Sequence, residues 1–123
     1  MLRAYPAGKI SDDDPVKEAH NIQLLKDLTI AIIKLGCSPY PTAYTSEWGE
    51  KWDVTREQYY ALDNEWLDVS DVVVVQPIGW ENSIGTIAEV KRAKERDIKV
   101  VFGAAGLAKW LADLEASREA GLR

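Results

Sequence analysis

Asp71–Gln76, DVVVVQ, sets four consecutive valines between two polar residues. Stiff β-branched side chains suit a pleated strand, and the lack of any apolar–polar alternation means that both faces of that strand are covered. The run therefore predicts the central strand of a parallel sheet packed between helices. Downstream, Pro77–Trp80 reads as a turn, Asn82–Asp97 as a helix, Lys99–Phe102 as a further strand, and Leu107–Glu119 as a last amphipathic helix with Trp110 and Leu111 inside. Upstream, Thr55–Val69 carries Tyr59, Leu62, Trp66 and Val69 at helical spacing, with Asp63 beside them.

The N-terminal half follows the same alternation. Leu2–Tyr5 is a short first strand, broken by Pro6 and Gly8. Asp12–Asp14 before Pro15 is the pattern of an N-cap aspartate and a first-turn proline. Ile22, Leu25, Leu28, Ile32 and Leu35 then mark one helix face, and Gly36 supplies its stop. Cys37–Pro41 is a brief extended segment, and the polar, aromatic stretch from Thr42 to about Val54 reads as a functional loop or lid. The order β-α-β-α-β-α-β-α implies a parallel α/β sheet with right-handed crossovers. In such sheets ligands bind beyond the carboxyl ends of the strands, which here selects Tyr5–Ser11, Pro39–Trp52, Gln76–Gly85 and Gly103.

At 123 residues the chain is one domain spanning 1–123, and its 46% hydrophobic and 28% charged residues are those of a globular protein. Fifteen basic against 20 acidic residues leave a net charge of −5, which argues against a nucleic-acid polymer as partner. Small phosphorylated ligands stay possible, because a few local donors hold them. The single cysteine, Cys37, allows no intrachain disulfide, and with one histidine, His20, no Cys/His zinc site can be assembled. His20 is assigned to a helix surface and Cys37 to a strand core, and Asp12–Asp14 to a solvated cap, so no metal is expected. The N-terminus has no apolar signal-peptide core and no apolar run approaches the ~20 residues of a membrane span, so the expected setting is cytoplasmic.

The loop PIGWENSIGTIAE, after the valine strand, is richest in candidate chemistry. Asn82 or Ser83 caps the next helix, whose free first-turn N–H groups favour an anion. Gly85 and Glu89 stack four residues apart, so Gly85 leaves space for a ligand directly over the Glu89 carboxylate. The same residues also fit a plain cap and a solvated helix face. Asp63 shares a face with Tyr59 and Trp66; it either reaches a polar ligand at the sheet's edge or pairs with Arg56 or Lys51. Tyr40, Tyr44, Trp48, Trp52 and Trp80 cluster in the flanking loops, where flat rings could stack on a base or simply fill the core. Gly8 and Ser11 could bring backbone amides and a hydroxyl to the site, or only make the turn.

Three of these segments, in order, resemble the nucleoside 2-deoxyribosyltransferase-like superfamily. YPAGKIS (Tyr5–Ser11) resembles its Y-x-A-G-x-I-S opening, LDNEWLDVSDVVVV (Leu62–Val75) its D-x-x-W/L helix and strand, and SIGTIAEVKRA (Ser83–Ala93) its S/D-x-G-x-x-x-E element. The resemblance spans about residues 2–102. The superfamily includes small phage-borne members and 2'-deoxynucleoside 5'-monophosphate N-glycosidases. It implies a single-domain three-layer α/β sandwich, flavodoxin- or Rossmann-like, with a parallel sheet of four to five strands. It further implies Glu89 as the nucleophile that attacks the anomeric carbon, Asp63 as the residue assisting the leaving base, and Tyr5 as the group positioning nucleophile or sugar. Ser83, rather than Asp, at the S/D position favours a 5'-phosphate over a free 5'-hydroxyl.

The sequence also departs from that pattern. Val90 and Lys91 follow Glu89 where x-G is usual, and Lys9 stands where Pro or Ser is common. Trp80 and Glu81 add bulk and charge near the phosphate position. Relatives take a residue from a neighbouring subunit; here the last helix offers only Ser117, and Trp110 marks either an oligomer surface or core. The expected function is N-glycosidic cleavage or deoxyribosyl transfer on a nucleoside or its 5'-monophosphate, with no cofactor, in a homodimer or larger homo-oligomer. Catalysis falls to Glu89, Asp63 and Tyr5, and substrate binding to Gly8, Ser11, Ser83, Gly85 and Trp80. The alternatives are a non-catalytic nucleotide-binding or sensing module of the same fold, or a protein-contact module with exposed tryptophans.

Overall fold

The computed structural model describes residues 1–45 and 52–121. Among the described residues the strands are β1 (Arg3–Ala7), β2 (Ser38–Pro39), β3 (Val72–Val75) and β4 (Lys99–Phe102). Among the described residues five helices accompany them: α1 (Pro15–Lys34), α2 (Thr42–Thr45), α3 (Arg56–Asp68), α4 (Ile84–Glu95) and α5 (Gly103–Gly121), with a 3-10 turn at Trp80–Asn82. All pairings are parallel, in the order β2-β1-β3-β4. The architecture is the three-layer α/β sandwich expected from the alternation. No described helix is long and apolar enough to cross a membrane.

All four valines of β3 are fully buried, and their alternation divides the core. Val72 and Val74 pack with Ala4, Leu25, Leu28, Ile32, Val101 and Leu107 on the α1/α5 face. Val73 and Val75 pack with Tyr5, Ala7, Leu67, Val90 and Ala93 on the α3/α4 face. From β1 the chain crosses to β2 on one side and then returns to β3 on the other. The β1/β3 boundary is therefore the point where strand order reverses, and the crevice above it is where such sheets bind ligands.

Several boundaries differ from the sequence reading for local reasons. β1 runs through Pro6 to Ala7 instead of stopping at Tyr5. Even-numbered residues of β1 turn their backbone groups toward β2, as the Tyr40 N–H bond to the Ala4 carbonyl shows. Because β2 is only two residues long, Pro6 lies beyond its end, where no ladder donor is needed, and its carbonyl accepts from the Thr42 hydroxyl at 2.9 Å. Asp14 does cap α1, accepting from the Val16 N–H at 2.9 Å, with Pro15 in the first turn. Leu35 is not on the buried face; it caps the helix C-terminus and is exposed, and Gly36 follows at φ 86°.

In α3 the expected buried face is rotated. Leu67 is fully buried, whereas Trp66 and Val69 are half exposed. Part of the proposed 42–54 loop is the short helix α2; Trp48 and Lys51 lie outside the described residues. The third long helix starts at Ile84, two residues later than expected, because Trp80–Asn82 forms its own 3-10 turn after Gly79 at φ 79°. Trp110 and Leu111 are half-buried against the α1/α5 core, which accounts for Trp110 as a core contact. His20 is exposed and Cys37 buried.

Candidate functional site

Between α3 and α4 lies a pocket of about 200 Å3 lined by Tyr60, Asp63, Asn64, Ile84, Gly85, Ala88 and Glu89. Each helix is launched by a side-chain cap. Thr55 and Gln58 form a reciprocal capping box at the start of α3, and the Ser83 hydroxyl accepts from the Thr86 N–H at 3.2 Å at the start of α4. On α3 the i, i+3, i+4 spacing sets Tyr60, Asp63 and Asn64 on one face. On α4 the same spacing sets Gly85, Ala88 and Glu89 on the facing side. A Cβ added to Gly85 would approach only the Tyr60 hydroxyl, at 3.9 Å, so the glycine leaves the mouth open above Glu89.

Both carboxylates are half-buried and neither has an ion-pair partner among the described residues. Burial pushes Glu89 up to about 7, helped by the negative Asp63 nearby and opposed by the Tyr5 hydroxyl. Burial likewise pushes Asp63 up to about 6, opposed by the Tyr40 hydroxyl, which donates to Asp63 Oδ1 at 3.2 Å. Asp63 is thus not the partner of Arg56; a phenol supports it. Burial thus raises the proton affinity of both carboxylates, and that of Glu89 above that of Asp63.

Tyr5 rises from β1 beneath this pair. Its side chain is fully buried, its hydroxyl faces Glu89 without closing a bond of standard geometry, and burial with the two nearby carboxylates pushes its ionisation far up. It therefore stays a neutral donor. The Tyr5 ring stacks on Tyr40 at 5.7 Å and 8°, and Tyr40 stacks on Trp66 at 5.7 Å and 17°. The ladder fixes both phenols relative to α3. The Tyr59 hydroxyl is also buried without a partner among the described residues.

A bidentate ion pair ties the two helices together. Arg92 donates from Nε and Nη2 to the two Asp68 oxygens, each at 2.7 Å, and Arg96 Nε lies 2.9 Å from Asp68 Oδ1. Asp68 ends α3 five residues after Asp63, and Arg92 follows Glu89 by three.

The structure thus brings together Glu89, Asp63, Gly85 and, from below, Tyr5. Ser83 sits at the head of α4, where its hydroxyl accepts from the Thr86 N–H and lies 2.9 Å from the Thr86 hydroxyl. Other candidates fall elsewhere. A Cβ on Gly8 would meet Gln76 Cβ at 3.0 Å and Leu25 Cδ1 at 3.3 Å, so this glycine serves close packing at the end of β1. Ser11 is exposed, and Lys9 pairs with Asp12 at 3.6 Å. Trp80, in the turn just before α4, packs against Phe102 at 5.4 Å and is not among the residues lining the pocket.

No protein-family model and no curated protein matches this chain. The chemistry of the site therefore rests on its own geometry.

Sequence reasoning weighed Tyr40 only as a stacking ring and missed Tyr60, Asn64 and the Asp68–Arg92–Arg96 cluster. The 60/63/64 spacing was a usable signal. The other contacts join residues 23 and 24 positions apart, which no local spacing reveals.

Proposed function

We propose that this chain cleaves or transfers the N-glycosidic bond of a (deoxy)nucleoside or its 5'-monophosphate, with Glu89 as nucleophile and Asp63 as acid and base. The observation that carries this reading is the Glu89–Asp63 pair, without a cation partner among the described residues, on facing helices of one pocket beside the β1/β3 crevice. The pair supplies both reagents that the reaction needs once its proton lies on Asp63; because Glu89 binds a proton more tightly than Asp63 in the empty pocket, that proton has to pass from Glu89 to Asp63 when substrate binds. The Glu89 carboxylate attacks C1', and the C1'–N bond breaks with its electron pair going to the base, which takes the proton of the Asp63 carboxyl. Water then attacks C1' of the glycosyl ester, its proton returns to Asp63, and Glu89 leaves as carboxylate. A second base in place of water gives transfer. Both steps pass through oxocarbenium-like transition states.

The surroundings fit that chemistry. The Tyr5 hydroxyl faces Glu89 and opposes its protonation, favouring the ionised nucleophile. The pocket of about 200 Å3 is smaller than the roughly 300–1,000 Å3 of typical ligand clefts, which suits a reacting sugar with the rest of the nucleotide at the mouth. Ser83, neutral, stands with the α4 N-terminus where a 5'-phosphate would lie. No metal or cofactor enters these steps. The same reading includes a cytoplasmic homo-oligomer; Ile84 on the pocket lining and Ile78 in the loop after β3, 88% and 68% exposed, offer apolar surface to a second copy.

The test is base release from a panel of ribo- and deoxynucleosides and their 5'-monophosphates, with and without an acceptor base, separated chromatographically. Wild type releases base from at least one member and Glu89→Ala does not. Absence of release from every member overturns the enzymatic reading. Nucleotide-dependent thermal stabilisation under those conditions would indicate a binding module instead.

A further inference from the structure

α3 and α4 both carry the chain back from a strand's carboxyl end, so they lie roughly parallel and their C-termini share one end of the domain. Asp63 and Glu89 occupy the middle of these helices, with the pocket opening toward their N-termini. At the C-terminal end the Asp68 carboxylate takes two N–H bonds from Arg92 and pairs with Arg96. A carboxylate opposes the partial negative charge of its own helix C-terminus, whereas arginines in the last turn complement theirs. Asp68 is thus favourable at this position through its inter-helix partners alone. The fork geometry also fixes orientation, which a single point contact would not.

Resting on the function proposed above, we propose that Asp68, Arg92 and Arg96 are positioning residues: a foot-clamp that holds α3 against α4 and thereby sets the separation and dryness of the Asp63–Glu89 pair. The groups facing the clamp are few. Arg92 also feels Glu65 from α3 and Glu95 from its own helix, and Asp68 faces the two arginines. Among the described residues the groups facing the catalytic pair are Tyr40 on Asp63, and Tyr5 and Asp63 on Glu89. The clamp cations therefore act on the pair through helix placement, not as its direct counter-ions. Releasing the clamp lets the helices part and water enter. Both carboxylates then relax toward ordinary behaviour, and the nucleophile drifts from its line of attack, where ångström-scale errors are expensive.

The experiment has two independent readouts. Side-chain carboxyl carbons of Asp63 and Glu89 are titrated by NMR in wild type, Asp68→Ala and Arg92→Ala, with Asp113→Ala as control because it breaks the exposed Lys109–Asp113 pair on α5. Both midpoints fall by at least about half a unit toward the ordinary carboxylate range in the clamp variants and stay put in the control. In base release the clamp variants lose about tenfold or more in kcat, with the pH optimum moved to lower pH. Arg92→Lys, which keeps charge but loses the fork, recovers little of the loss. Folded clamp variants whose carboxyl midpoints match wild type overturn the proposal. The titration decides this even if no nucleotide proves to be a substrate, so its failure is separable from failure of the glycosidase reading.

Discussion

The two faces of the sheet solve different problems. The α1/α5 face is mainly apolar, with Leu25, Ile32, Val72, Val74 and Leu107 fully or almost fully buried, Cys37 behaving as a small hydrophobe, and the buried Thr29 hydroxyl satisfied by the Leu25 carbonyl at 2.8 Å. The α3/α4 face has a similar valine floor. Above it sit two carboxylates of raised proton affinity, and two phenol hydroxyls there lack hydrogen-bond partners among the described residues. Each uncompensated polar group costs about 1–3 kcal/mol, so this face gives up stability that the other supplies. Such an expense concentrated in one cleft is what a reacting site requires.

The contrast breaks most visibly at Glu89. Glu89→Gln lowers base release by about 10³-fold or more, read as kcat on the best panel substrate, while the protein stays folded. On the opposite face Ile32→Ala costs about 2–5 kcal/mol in denaturant unfolding and leaves activity per folded molecule unchanged. Comparable activity losses from both substitutions would erase the distinction between the faces.

A third prediction concerns pH and stability. Both carboxyls bind protons more tightly folded than unfolded, so their stabilising contribution is complete below about pH 4 and fades as pH rises through about 6 for Asp63 and 7 for Glu89. Glu89→Gln removes the penalty of the ionised form and stabilises the protein by about 2 kcal/mol at pH 8, with little change at pH 4. Unfolding curves at the two pH values check the sign. For Tyr40→Phe, loss of the bond to Asp63 Oδ1 raises the Asp63 midpoint and lowers kcat about tenfold, since the ring stack survives. An unchanged midpoint would reduce Tyr40 to a packing residue.

The α1/α5 face was largely legible in the sequence because its signals are local: an unbroken valine run, Asp14 before Pro15, Gly36 after a helical stripe. The α3/α4 face was legible only in part. Glu89 under Gly85 and the anomalous Asp63 follow from four-residue spacing. The rotation of α3 that buries Leu67 and exposes Trp66 depends on how the helix meets the sheet, not on its own stripe. Pro6 in β1 is tolerated because β2 ends early. Tyr40 and the Asp68 clamp act on residues more than twenty positions away, so their partners become visible only after folding.

The account stands on Glu89 as a nucleophile, and covalent trapping tests that directly. Wild-type protein is incubated with 2'-fluoro-arabino nucleosides and their 5'-monophosphates, whose fluorine slows both steps by destabilising the oxocarbenium-like transition state. Intact mass and peptide mapping then follow. The account predicts release of one base and a glycosyl adduct confined to the peptide bearing Glu89, absent from Glu89→Gln. Base release with an adduct on another residue, or equal turnover by Glu89→Gln, would contradict it.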